Sequence, residues 1–409
     1  MEYKDLKDQA CRYVDELKPV IYGIAESLHD HPETGMNEVF ASATLKKILQ
    51  DRGFAIDNPV ADAFPTAFHA VCGHGPFQMG FLAEYDALPE IGHGCGHNLI
   101  AAMSVGAALA FAKAAGDKAT VHVYGCPAEE TVGSKVYMSE HGVFDGLDAV
   151  VIVHPGTDKT YIGGTSFATH PMQFTFLGKA AHVADATYHG VNALDALVDF
   201  YGRLKAYEKT LTERHIIGAI ITEGGTAPNI VPDRAVLKAT IRALKVEYLE
   251  DKMLPDIKKI ARDVADAHGA KVEMVHYEPL YKNMINDPRM DVYFADAFNQ
   301  LYEEFGIRDD DYAEGSTDVG NVSQITRVSQ PEICIGYDIN AHTKEFAQAA
   351  GSDLGKMQAL TTTSSASSAR SSSPTPSSMP AWTSWNRPSL PARKNLPKPL
   401  AATWARCRH

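Results

Sequence analysis

Two adjacent carboxylates, Glu129 and Glu130, follow an apolar run and Pro127 in the segment PAEET. Neighbouring carboxylates repel unless a cation or separate partners hold them. One can then ligate a metal while the other handles protons, and a solvated charged loop is the competing reading. Cys95 and His97 stand two apart in GHGCGHN. In an extended segment both point to one side, where a thiolate and an imidazole suit zinc or another borderline divalent metal. His93 shares that face and could serve only to orient the loop. Cys-x-His by itself is a weak signal, and a packed pair of ordinary side chains would account for it. The company of Glu129, Glu130, His154 (in VHPG) and His342 (in INAHTKEF) favours ligation.

These groups need elements that bring them together. Phe77–Ala83, Thr120–Gly125 and Ala149–His154 read as apolar strands. Between them lie helical segments at Asn98–Ala115 and Ser134–His141, after amphipathic helices over Tyr3–His29 and Glu38–Arg52. Strands separated by helices imply parallel pairing with right-handed crossovers. Each cluster then falls just past a strand, and in open α/β sheets ligands bind at the carboxyl ends of strands. A further strand, Glu332–Gly336, precedes His342, and helices are expected at Met290–Phe305 and Thr343–Lys356.

Residues 170–279 carry a different order. Strand Met172–Leu177, helix Gly190–Tyr207, strands Ile216–Thr222 and Ala235–Ala243, helix Lys245–His268 and strand Lys271–Tyr277 form β-α-β-β-α-β, the ferredoxin-like split unit. The expected architecture is α/β. Residues 1–169 and 280–360 form a catalytic domain with a mostly parallel sheet flanked by helices, and 170–279 form an inserted lid.

The 409-residue chain is 45% hydrophobic with a net charge of −13, which argues against nucleic acid or an anionic membrane as partner. Its six cysteines are irregularly spaced and make no disulfide scaffold. The charged N-terminus lacks the apolar core of a secretory signal, and Leu99–Ala112 is too short to span a bilayer, so a cytoplasmic protein is expected. Residues 361–409 break with the rest: no acidic residue, no glycine, seven Lys and Arg, and all three tryptophans. They read as a disordered basic tail or an out-of-frame translation of the original C-terminus.

EYDALPEIGHGCGHNLIAA, PAEET, GKAAH, GGTAPNIVPD, GSTDVGNVS and AHTKEFA, with HDHPETGMNE before them, occur in this order. In combination they resemble the aminoacylase-type co-catalytic metallopeptidase family, in the amidohydrolase branch that holds aminobenzoyl-glutamate hydrolase and beta-alanyl-lysine type dipeptidases. The resemblance spans about residues 1–355. It implies two divalent metals, zinc or manganese, held by Cys95, His97, Glu130, His154 and His342. It implies Glu129 as catalytic base, with Asp86 supporting the metal site. It also implies a homodimer formed through the lid. His182 would then reach the neighbouring subunit's site, Asn229 and Arg242 would bind the substrate's oxyanion or carboxylate, and the substrate would be an N-acyl amino acid or small dipeptide. Glu84 and Asn98 depart from the family pattern: several relatives have a ligand His at the first position, and some a bridging Asp at the second. Two other readings stand beside this one. Cys95 could be a thiol nucleophile activated by His97, or the chain could be an inactive family member that only binds.

Overall fold

The computed structural model describes residues 3–184, 189–301 and 305–360. The tail at 361–409 lies outside the described residues.

Six strands form the first sheet, in the order Ala55–Asp57, Phe68–Gly73, Ala119–Cys126, Phe77–Glu84, Ala149–Val151, Val328–Ser329. The last four pair in parallel, as the βαβ pattern requires. The first two strands, which the sequence pattern did not reveal, pair antiparallel, so the sheet is mixed. The helix His97–Ala115 packs on this sheet and on the helix Tyr3–Asp30, and nearly all of it is buried. Gly106 permits the close crossing, since a Cβ there would lie 2.5 Å from Ile21. Length and composition alone would let this helix cross a membrane, yet 83% of its apolar window is buried within the fold. Apolar side chains from the sheet and both helices form one core, and a second cluster covers the other face around Tyr124, Phe144 and Val322.

The β-α-β-β-α-β segment forms its own antiparallel sheet, in the order Lys271–His276, Ala168–Leu177, Arg234–Ala243, His215–Glu223. Helices Ala193–Glu208 and Leu254–Ala267 bury a separate apolar core against it. Asn192 sets the first helix's start, its Oδ1 accepting from the amides of Leu194 and Asp195 at 3.0 and 3.2 Å. The expected helix over 245–268 is divided: a wider turn at Leu249–Met253 precedes Pro255, whose ring supplies no amide proton for the ladder.

Three other elements also depart from expectation. The apolar run 149–154 divides. Ala149–Val151 stays in the main sheet, and His154–Gly156 joins a third sheet in the order Phe305–Ala313, Thr160–Thr165, Glu332–Cys334, His154–Gly156. The helix expected to reach Phe305 ends as Pro288–Leu301, and Phe305 opens a strand. The last helix splits at Ser352, whose backbone is extended, into Lys344–Gly351 and Asp353–Leu360.

Candidate metal centre

The predicted ligands converge. Cys95, His97 and His154 each present a donor atom within 4.8 Å of the others, as do Cys95, Glu130 and His342, and likewise His97, Glu129 and Glu130. Four loops supply them, at the rim where the strands Phe77–Glu84 and Ala119–Cys126 end. Cys95 and His97 do not lie on an extended segment. Gly96 between them has φ 79°, and a Cβ there would come within 2.8 Å of Pro155. This left-handed turn opens the helix and aims both side chains into the cluster.

His97 and His154 each have Nδ1 engaged by an oxygen of a neighbouring segment or residue. His97 Nδ1–H donates to Asp86 Oδ1 at 3.1 Å and to the Asp86 carbonyl at 3.0 Å. Its Nε2 faces inward, 3.4 Å from Glu84, 3.9 Å from Glu129 and 4.0 Å from Glu130. His154 Nδ1–H donates to the Pro155 carbonyl at 2.6 Å, which leaves Nε2 3.5 Å from the Cys95 sulfur. His342 sits at φ 64° with its amide on Gly94 O at 2.8 Å, just before Thr343, whose hydroxyl caps the following helix. Its Nε2 lies 3.4 Å from Glu130 Oε1.

Asp86 is the organiser of the cluster. One oxygen orients His97, and the other accepts the Glu130 amide at 3.0 Å. Burial opposes its charge, but His97, the Glu130 amide and Lys135 together hold the carboxyl below the usual range. Burial likewise opposes a charge on His97, yet Asp86 and Cys95 raise it well above the ordinary imidazole value. Burial pushes Glu129 well above the carboxylate range, and the nearby acids Glu84 and Asp318 add to the shift. Burial also pushes the Cys95 thiol up, against the pull of His97.

The donor set fits divalent cations. His97 Nε2 and Glu130 Oε1 are buried without a hydrogen bond, and they face sulfur, imidazole and carboxylate groups. Buried polar atoms that lack a hydrogen bond cost free energy unless something binds them. Soft, borderline and hard donors together suit zinc and its neighbours in the first transition row.

The two departures from the family pattern have structural accounts. Asn98 Nδ2 donates to Ala25 O and Ala350 O at 3.1 and 3.2 Å, so it ties two helices together. Glu84 meets a group that its own segment does not reveal: Lys135 Nζ lies 2.8 Å from Glu84 Oε1 and 2.6 Å from Asp318 Oδ1, all three side chains being inaccessible. His93 only holds the loop, its Nε2 on Leu28 O and its Nδ1 accepting the Asn98 amide. Glu38 of the N-terminal motif is a further contributor that motif spacing did not single out. It accepts the Ala128 amide at 2.8 Å and holds that residue at φ 58°, directly before Glu129.

His182, Asn229 and Arg242 are not brought to the cluster. Among the described residues, none of them makes a hydrogen bond or ion pair with it. His182 and Asn229 are exposed neighbours on two lid segments, Val183 N–H donating to Asn229 O at 3.2 Å. Arg242 is half-buried on a lid strand, opposite Thr169 and Ile216.

Residues 169–269 match the M20 peptidase dimerisation domain. The chain is 32% identical over 378 residues to the Xaa-Arg dipeptidase of Mus musculus, covering 88% of this chain and 87% of that protein. The chain belongs to the M20 peptidase family. This M20 member is a metal-dependent hydrolase of amide or dipeptide bonds. Another relative is a p-aminobenzoyl-glutamate hydrolase polypeptide of Escherichia coli, 33% identical over 266 residues (59% of this chain, 54% of that one). The M20 fold is shared with a dinuclear metal-binding peptidase of Bacillus subtilis, at TM-score 0.61 and 18% identity over 84% of this chain and 98% of that one.

Proposed function

We propose that the protein hydrolyses the amide bond of a small dipeptide or N-acyl amino acid at a pair of divalent cations, zinc or manganese. Cys95, His97, Glu130, His154 and His342 would hold them. Bound there, the cations would acidify a water and polarise the scissile carbonyl. The observation that carries this reading is the pair of buried atoms without hydrogen bonds, His97 Nε2 and Glu130 Oε1, facing three further donors.

The chain's own residues do the rest. Glu129, whose pKa burial and neighbouring acids raise, takes the proton of the attacking water and gives it to the leaving nitrogen. Asp86 keeps the His97 Nδ1–H engaged and so leaves Nε2 free for a cation. His182 and Asn229 lie outside this cluster and act, in this proposal, from the lid of a second copy in a homodimer, where they stabilise the oxyanion. Arg242 anchors the substrate carboxylate through its guanidinium fork.

The test combines metal analysis with a panel of dipeptides and acyl-amino acids, before and after chelation. Zinc, manganese or cobalt should restore activity to the chelated protein. Glu129→Gln should keep its metal and lose about 10²–10⁴-fold in turnover. Hydrolysis that survives complete metal removal, or full activity in Glu129→Gln, refutes the proposal.

A further inference from the structure

The peptide unit that joins Glu129 to Glu130 is gripped on both edges. Its N–H, which belongs to Glu130, donates to Asp86 Oδ2 at 3.0 Å. Its C=O, which belongs to Glu129, accepts the Tyr281 hydroxyl at 2.9 Å. The orientation of this plane decides where the two glutamate side chains diverge. The residue before it, Ala128, is already held in the left-handed region by Glu38.

Tyr281 is itself fixed from several sides. It lies where the chain returns from the four-stranded lid sheet, and it bridges Thr169, where the chain enters that sheet. Thr169 N–H donates to Tyr281 O at 2.8 Å, and Tyr281 N–H donates to Thr169 O at 3.2 Å. Asn321 clamps both flanking peptides: its Oδ1 accepts the Lys282 amide at 3.0 Å, and its Nδ2 donates to Leu280 O at 3.3 Å. The phenol ring packs on the catalytic loop at Gly133, where a Cβ would come within 2.6 Å of it.

We infer that Tyr281 is a positioning residue for the reaction. Through its hydroxyl it ties both crossings of the lid sheet to the peptide plane that aims Glu129 and Glu130. It touches no reacting atom and acts through that peptide. The inference rests on the proposed roles of Glu129 and Glu130. It adds a contact from outside the metal cluster, made by a residue whose backbone belongs to the lid's attachment. A phenol hydroxyl suits the task, because it spans from the linker to a main-chain carbonyl without adding charge beside the acids.

Tyr281→Phe is the test, because it keeps the ring against Gly133 and removes only the hydroxyl. The whole chain, wild-type and variant, is loaded with cobalt(II) and assayed with the substrate panel. The expected result is a fall in kcat of fivefold or more, with KM within twofold. Cobalt per chain and melting temperature should stay unchanged, and the cobalt d–d absorption band should shift because Glu130 is re-aimed. Unchanged kcat with an unchanged band overturns the inference. So does a variant that loses cobalt or melts much earlier, since that marks a merely structural residue. Should the wild type hydrolyse nothing in the panel, the band still decides: a shift sustains the positioning role while the hydrolase reading falls, and no shift overturns both.

Discussion

Replacing Lys135 by Met should destabilise the protein severely and in a pH-dependent way. The Lys135 ammonium is inaccessible, 2.6 Å from Asp318 and 2.8 Å from Glu84, whose side chains are 0% and 2% exposed. Removing one member of a buried ion cluster leaves charge uncompensated, at a cost of about 3–5 kcal/mol. At roughly 2–4 °C per kcal/mol for a domain of this class, the melting temperature should fall on the order of 10 °C. The sign of the pH effect follows from Asp318. Burial pushes its carboxyl up to about 6 even with the ammonium beside it. A pKa raised on folding gives stability that is complete below the unfolded value, about 3.9, and is lost as pH rises through the folded value. Without Lys135 the folded value moves higher still, so the deficit should be larger at pH 8 than at pH 5. Calorimetry in chelator at both pH values reads this directly. Adding Asp318→Asn should recover part of the loss, because it removes one of the stranded charges. A deficit under about 1 kcal/mol at pH 8, or one that grows on acidification, would refute the reasoning.

Asp86→Asn should weaken metal binding about 10–100-fold, because the amide loses the charge that orients His97 and turns a donor towards the Glu130 amide. Competition against a coloured chelator measures it, and an affinity within twofold of wild type would show that Asp86 does not support the site. His182→Ala should lower turnover by about 10²-fold with metal content intact. Mixing it with the inactive Glu129→Gln protein should then recover part of the activity in mixed dimers. Failure of that recovery, under conditions where subunits exchange, would place His182 in its own subunit's site.

Local pattern in the chain was enough to single out the candidate donor residues and their place at strand ends. Cys95, Glu130 and His154 could be read because each stands in a short polar segment next to an apolar run, and the period of a strand is local information. The β-α-β-β-α-β order was legible for the same reason. What no local pattern carries is pairing across distance. The backbone amide of Lys135 bonds Asp318 across 183 positions, and neither segment points to the other. Nothing beside Tyr281 in the chain signals the contact that the fold gives its hydroxyl with Glu129 O, 152 positions away. The break after Val151 and the turn at Gly96 likewise come from packing between remote segments. The third sheet claims His154, and Pro155 leaves room for nothing but a glycine opposite it. Side-chain type and periodicity fix which groups can do chemistry. Only the folded chain fixes which buried charges must neutralise one another, because that depends on distances between segments that the order of residues does not contain.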